Sequence, residues 1–132
     1  MRTARHLESG AWGERTAEAF LVRKGYRILG RRVRVGRRDE VDLVAHDGQT
    51  LVFVEIKTRA TESFGRPWFA VDRAKRHALS RAAVRYLKRM HNPRICFRFD
   101  VVEVVGSPGD ANPVVRHIEN AFPLEKPYSL PG

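Results

Sequence analysis

The sequence predicts an α/β domain built around one buried strand. Three observations predict it. Leu51-Val52-Phe53-Val54 is a continuous apolar run rich in β-branched residues, the pattern of a strand covered on both faces. Asp47-Gly48, between two apolar stretches, is a two-residue hairpin signal. Two longer stretches, Ala11 to Lys24 and Trp68 to Met90, carry apolar residues at helical spacing on either side of the strands. At 132 residues the chain is expected to form one domain with a real core, over residues 1–120, followed by a Pro-containing tail over 121–132.

The first helix is predicted from Ala11 to Lys24. Ala11, Ala17, Phe20, Leu21 and Val22 form its apolar stripe, and Gly25 is a good stop. Glu14 lies in its first turn. A favourable interaction with the helix dipole accounts for an acid there. The glycines at 10 and 13 also let another backbone or a phosphate come close. Tyr26 to Val35 reads as the first strand, and Gly36-Arg37-Arg38 as a turn. Val41 to Ala45 is the second strand and Leu51 to Thr58 the third. A turn centred on Asp47-Gly48 sets His46 opposite Gln49 and Asp42 opposite Phe53. Glu55 then becomes the diagonal neighbour of Asp42 on the same face, roughly 7–8 Å away. A one-residue slip would put the two acids on opposite faces.

Ala60 to Pro67 reads as a loop, with Gly65 and Pro67 as breakers; it either covers a substrate or simply connects. The second helix is predicted from Trp68 to Met90. Lys75, Arg76, Arg81, Arg85, Lys88 and Arg89 crowd its polar side, as a solvated face or as phosphate contacts. Arg94 to Val105 reads as the fourth strand, with Cys96 inside it. Ser107 to Pro113 is turn-rich, and Val114 to Ile118 is a short edge strand. The tail from Ala121 carries Pro123, Pro127 and Pro131, and is expected to lie extended over the surface or be disordered.

Composition excludes several function classes. Lys and Arg number 25 against 15 Asp and Glu, a formal charge of +10. That excess suits a nucleic-acid partner, although a merely basic surface explains it as well. No apolar run reaches the ~18–20 residues of a membrane span, and no hydrophobic signal segment follows the basic N-terminus. A cytoplasmic protein without membrane contact is expected. The single Cys96 rules out an internal disulfide or a thiolate zinc cluster. His6, His46, His77, His91 and His117 show no metal-ligand spacing. No nucleotide-binding glycine loop and no nucleophile elbow is present.

The candidate chemistry rests on Glu14, Asp42, Glu55 and Lys57. Glu55 and Lys57 leave their strand on one face. A lone charge in a core is costly unless it is paired or binds a metal, so this strand is expected to run from the core into a polar site. Carboxylates there can share a hard cation, Mg²⁺ or Mn²⁺ rather than zinc. Such ions polarise a phosphate and acidify an attacking water, and a nearby lysine orients that water or neutralises charge. Cross-strand ion pairing on an exposed sheet face explains Glu55 and Lys57 equally well.

With these residues in view, the chain resembles the YraN-like family of small bacterial proteins. That family is placed with the restriction-endonuclease-like PD-(D/E)XK nucleases, as are the archaeal Holliday-junction resolvases. The resemblance rests on Gly13-Glu14 with Ala17 and Leu21, then Gly25-Tyr26-Arg27-Ile28-Leu29, then Glu40-Val41-Asp42-Leu43-Val44-Ala45. Val52-Phe53-Val54-Glu55-Ile56-Lys57-Thr58-Arg59 and Arg98-Phe99-Asp100-Val101-Val102 complete it, over roughly residues 10 to 105. It implies a restriction-endonuclease-like α/β fold, a central mixed β-sheet flanked by helices. It implies that Asp42 and Glu55 bind the metal, that Glu14 completes the metal site, and that Lys57 positions the nucleophilic water. Lys75, Arg76 and Arg59 are expected to contact nucleic acid.

Two departures stand out. Asp39 occupies a position where the family pattern usually carries glycine, and it is expected to add negative charge near the site. An asparagine common after the start of the first strand is missing, with Arg32 or Val33 in its region. The expected function is a Mg²⁺- or Mn²⁺-dependent endonuclease acting on DNA, with branched or otherwise structured DNA among the candidate substrates. Symmetric cutting of two strands would need a homodimer. The alternative is a non-catalytic nucleic-acid-binding module on the same fold. A third reading is an assembly protein that binds through its sheet edge or tail.

Overall fold

The structure, a computed structural model, describes residues 4–61, 71–91, 94–126 and 128, with side chains from Glu8 onward. Helix α1 spans Ala4–Arg23, seven residues longer at its start than the apolar stripe predicts. Its stop is the expected one. Tyr26 N–H donates to the Leu21 carbonyl at 3.0 Å and Gly25 N–H to the Val22 carbonyl at 3.0 Å, a Schellman closure. Leu21 and Tyr26 then pack together in the core.

Strands β1 (Arg27–Val35), β2 (Asp39–Asp47) and β3 (Thr50–Arg59) follow as an antiparallel meander. Helix α2 (Arg73–Met90) crosses over to β4 (Phe97–Val105), which lies parallel to β3, and β5 (Val114–Phe122) closes the sheet antiparallel to β4. The strand order is β1-β2-β3-β4-β5. This is the predicted α/β architecture, a mixed sheet between two helices. The strand buried on both faces is β3, as its apolar run requires.

Each face of the sheet carries its own core. On one, Ala17 and Leu21 of α1 meet Leu43, Ala45, Val52, Val54, Val102 and Val104. On the other, Leu79, Ala82, Ala83 and Leu87 of α2 meet Val44, Leu51, Phe53, Phe99 and Val101. Truncating a fully buried leucine such as Leu87 to alanine in a core of this kind costs about 2–5 kcal/mol.

The hairpin register differs from expectation. Asp47 pairs with Thr50 and His46 with Leu51, so the two-residue loop is Gly48-Gln49 and Phe53 lies opposite Val44. Gly48 has φ +60, which suits the first position of a type II′ turn, whereas Asp47 remains in the strand. The shift is two residues, so every side chain keeps its predicted face.

Other boundaries moved for local reasons. Helix α2 begins at Arg73 because the Asp72 carboxylate accepts from Lys75 N–H at 2.8 Å and caps it. The predicted start at Trp68, and Gly65 and Pro67 of the preceding loop, lie outside the described residues. Cys96 is exposed and precedes β4 rather than sitting within it; its carbonyl accepts from Leu51 N–H at 2.9 Å. Strand β5 runs on to Phe122, whose ring stacks on Phe99 at 4.8 Å. The segment beyond it docks on α2: Glu125 N–H donates to Ser80 Oγ at 2.9 Å, and Arg81 reaches the Tyr128 hydroxyl at 3.2 Å. Among the described residues, no helix is long and apolar enough to cross a membrane.

Candidate functional site

The site lies where β2 and β3 part. These strands pair only from Leu43–Val54 to the hairpin. Beyond that point β2 continues against β1 as far as Asp39, and β3 continues against β4 as far as Arg59. The sheet therefore forks. Asp42 holds the fork open, because its Oδ2 accepts from Ile56 N–H at 2.8 Å, in place of a ladder bond between the strands. An open cleft of about 690 Å³ occupies the fork, and Glu14, Glu40, Asp42, Glu55, Lys57 and Lys75 line it.

Both helices reach this opening. Helix α1 comes close to β3 at Gly13, where a Cβ would collide with the Thr58 side chain, and this approach carries Glu14 to the cleft. The capped start of α2 carries Lys75 there. A second hollow of about 490 Å³ on the α1 side shares Glu14 and Asp42 and adds Arg15, Arg31 and Arg32. A fork is what allows Glu14, from the α1 face, to share a cavity with Glu55, which lies on the α2 face.

The electrostatics set this cleft apart. A chain of charge +10 places four of its 15 acids around one opening. Glu55 is 5% exposed. Its Oε2 accepts no well-directed hydrogen bond, and the Lys75 ammonium stands 3.3 Å away as an ion pair. Asp42 is pushed up to about 7 by burial, and then by its hydrogen bond and charge repulsion with Glu55; Ile56 N–H and Lys75 pull the other way. Asp42 thus keeps its proton up to near neutrality.

All four sequence-predicted residues, Glu14, Asp42, Glu55 and Lys57, line the one cleft, and so does Lys75. Three details describe these residues and their surroundings. Glu14 is held by Arg32, with Oε2 2.9 Å from Nη2 and 3.0 Å from Nε. Arg76 commits its guanidinium to Glu125 at 2.6 Å and to the Val71 carbonyl at 2.8 Å, and Arg59 is not among the residues lining the cleft. Asp39 adds no free charge to the site, because Arg81 clamps it with two bonds of 2.8 Å, and that pairing holds its carboxyl below the usual range. Sequence reasoning missed Glu40 as a lining residue and Arg32 as the partner of Glu14. Glu40 was legible, since it shares the alternation that exposes Asp42.

Among the described residues, no three His, Cys, Asp or Glu side chains converge as a ready-made metal-binding group. The donor set nevertheless fits a hard divalent cation. Two carboxyls in contact, one with a buried unbonded oxygen, repel each other when charged, and a cation between or beside them offsets that repulsion. Here the Lys75 ammonium supplies part of that charge.

A second ionic cluster lies on the α1 face of the sheet. Asp100 of β4 is fully buried and accepts from Arg98 Nε at 2.9 Å, His117 Nε2 at 2.7 Å and Asn120 N–H at 3.0 Å. With the His117 proton on Nε2, its Nδ1 is left to accept from Lys24 Nζ at 2.9 Å. Arg98 also reaches Asp47 at 3.0 Å, so the cluster ties β4 and β5 to the hairpin and to the end of α1.

Comparison with known proteins places the chain in a family. Residues 13–104, more than half of the chain, match the profile of the uncharacterised protein family UPF0102. A UPF0102 protein of Symbiobacterium thermophilum is 48% identical over 113 residues, covering 86% of this chain and 94% of that protein. One from Geobacter sulfurreducens is 46% identical over 115 residues, 87% of this chain and 88% of its own length. Another, from Chlorobaculum tepidum, is 41% identical over 117 residues, 86% and 90% of the two chains. The matched span contains Glu14, Asp42, Glu55, Lys57 and Lys75, and the chain belongs to UPF0102, the YraN-like family.

Proposed function

We propose that this protein is a metal-dependent endonuclease that hydrolyses phosphodiester bonds in DNA, with branched or structured DNA as candidate substrates. One observation carries the reading: two carboxyl groups in contact, Asp42 and Glu55, share a forked cleft with two lysines. Asp42 and Glu55 would hold Mg²⁺ or Mn²⁺, joined by Glu14 once it leaves Arg32. The chemistry the ion supplies when bound is neutralisation of phosphate charge and a more acidic water.

The chain's own residues do the rest. Ile56 N–H fixes the Asp42 carboxylate and so sets its direction into the cleft. Lys57 leaves β3 on the same face as Glu55, where its ammonium orients the attacking water and offsets charge developing at phosphorus. Lys75 is paired with Glu55 at 3.3 Å and half exposed, so it is free to turn to a phosphate oxygen once another cation satisfies Glu55.

The test is cleavage of linear, nicked, flapped and four-way-junction DNA with Mg²⁺, Mn²⁺ or EDTA, with Glu55→Ala run beside the native chain. Metal-dependent cutting that disappears in the variant is expected. Equal cutting by both proteins would overturn the assignment.

A second reading, a nucleic-acid-binding module that does not turn over, draws on the internal ion pairs. Lys75 on Glu55 and Arg32 on Glu14 already counter both acids. It expects salt-dependent binding that is unchanged in Glu55→Ala, and no cutting with either metal.

A further inference from the structure

The basic residues of this protein are not spread evenly over their possible partners. Along the first half of α2, Lys75, Arg76 and Arg81 each hold a carboxylate, Glu55, Glu125 and Asp39 respectively. Farther along the helix the pattern changes. Arg85 lays its guanidinium against Gly36 of the β1–β2 turn, where a Cβ would collide with Nη1. Arg89 reaches the Arg34 carbonyl at 3.5 Å, and Arg34 reaches the Arg37 carbonyl at 3.3 Å. Arg37 and Arg38 stand exposed on the same turn. None of these five arginines forms an ion pair among the described residues, and the nearby carboxylate of Asp39 is already clamped by Arg81.

Two of the five have ordinary explanations. Arg89 in the last turn favours the helix dipole, and Arg34 helps protect an edge strand. Neither reason brings Arg37, Arg38 and Arg85 to the same place. The two acids of this region are fewer than its arginines: Arg81 clamps Asp39, and Glu40 lies opposite Arg34 in the β1–β2 ladder. Like charges left in excess repel one another, and an external polyanion offsets that repulsion.

We propose that Arg34, Arg37, Arg38, Arg85 and Arg89 form the surface that holds the sugar-phosphate backbone of duplex DNA beside the cleft. The surface is continuous with the candidate site in two ways. Glu40 lines the cleft, and it follows the turn after Asp39. Lys75 lines the same cleft, and α2 leads from it to the patch. At 1.5 Å per residue, Arg85 and Arg89 lie about 15 and 21 Å from Lys75 along the helix axis. With 3.4 Å per base pair, the contacted phosphates fall about four to six base pairs to one side of the bond in the cleft. The inference rests on the nuclease reading only for that offset; the binding surface stands independently of turnover.

The test is binding of a fluorescent DNA duplex by anisotropy, in EDTA, over 50 to 200 mM NaCl. The variant Arg37→Gln/Arg38→Gln/Arg85→Gln is compared with Arg23→Gln/Arg27→Gln/Arg94→Gln, which removes the same charge elsewhere. In the patch variant, the slope of log K against log salt should flatten by roughly 0.9 for each arginine that touches a phosphate, and affinity should fall on the order of tenfold or more. The control should keep the native slope. The corresponding Arg→Lys triple should also keep it, and Arg38→Gln alone should flatten it by about one contact if the triple variant folds poorly. Equal behaviour of patch and control variants, or no binding by the native chain, would overturn the proposal. Selective loss in the patch variant, in a protein that cuts with no metal, would keep the surface and remove the nuclease reading. Metal-dependent cutting with binding indifferent to the patch would do the reverse.

Discussion

Two acids of one sheet, Asp100 fully buried and Asp42 partly buried at the fork, behave in opposite ways. Asp100 is 0% exposed, and that burial by itself raises its pKa. His117, Arg98 and the Asn120 N–H nevertheless hold its carboxyl below the usual range. Asp42 keeps some solvent exposure, and the enclosure of its carboxyl in the fork, with Glu55 beside it, pushes it up to about 7. The difference is in the partners. Asp100 has two cationic or polar side chains and a backbone N–H converging on it. Asp42 has one backbone N–H and a second carboxyl group. Burial alone does not set the pKa of an enclosed acid; the saturation of its hydrogen bonds and charge decides the direction.

The sharpest way to break this comparison is to remove each acid. Asp100→Ala leaves Arg98 and His117 facing an empty position inside the sheet, which costs about 3–5 kcal/mol. A thermal melt should fall on the order of 10–20 °C. Asp42→Asn should keep or raise the melting temperature, because it removes a carboxyl that the fold strains to ionise, while cleavage of DNA is lost. Lys57→Ala should likewise fold and fail to cut. A melting temperature that drops equally for Asp42→Asn and Asp100→Ala would make the cleft acid structural and erase the distinction.

The two acids should also bend stability with pH in opposite directions. The Asp42 pKa rises on folding from 3.8 to about 7, so the native state binds the extra proton between those values. Its contribution is full below pH 4 and is lost as pH rises through about 7, with an upper bound of about 4 kcal/mol. The Asp100 pKa is lowered on folding, so its contribution is present above the ordinary carboxylate range and is lost on acidification below it. Urea unfolding between pH 3 and 8 separates them. Asp42→Asn should gain stability over the native chain as pH rises from 4 to 8. A difference that stays flat over that range would show that Asp42 titrates normally.

Much of the cleft was legible in the sequence because strand alternation is robust. Glu55 and Lys57 had to share a face, and a two-residue error in the hairpin register left Asp42 on that face too. The fork was not legible. It depends on one side-chain oxygen taking a backbone N–H across two strands, and no composition pattern reports that. The Asp100 cluster was hidden for a different reason. Lys24 and His117 are 93 positions apart, and no local spacing predicts their contact. The end of β5 was masked by composition: the prolines beyond Phe122 suggested a loose tail, although the Phe99 ring offered Ala121 and Phe122 a surface to continue on.

Metal gives a smaller effect than mutation, and one that sharpens the same contrast. A cation held beside Asp42 and Glu55 competes with the proton that Asp42 keeps up to about pH 7. Mg²⁺ should therefore raise the melting temperature more at pH 8 than at pH 5.5, by a few degrees at saturating concentrations. The shift should vanish in Asp42→Asn and persist in Arg98→Gln, whose partners do not line the cleft. EDTA should return the native chain to its metal-free melting temperature. An equal shift in all three proteins would mean that Mg²⁺ acts elsewhere on the surface.

Arg32 gives the smallest expected effect and the finest probe of how the cleft is poised. It pairs with Glu14 across a largely exposed contact, and it sits at φ +45, a backbone conformation unfavourable for arginine and better suited to asparagine. An exposed ion pair of this kind contributes under about 1 kcal/mol, so losing it barely changes stability. It does, however, keep Glu14 from the other acids. Arg32→Gln should leave the melting temperature within a few degrees and tighten Mg²⁺ affinity, by on the order of a few-fold, by releasing Glu14. Arg32→Asn should tighten it equally and melt slightly higher, because it also relaxes the backbone. If both variants bound Mg²⁺ no better than the native chain, Glu14 would lie outside the cation-binding set, and the charge balance of the cleft would rest on Asp42, Glu55 and the two lysines.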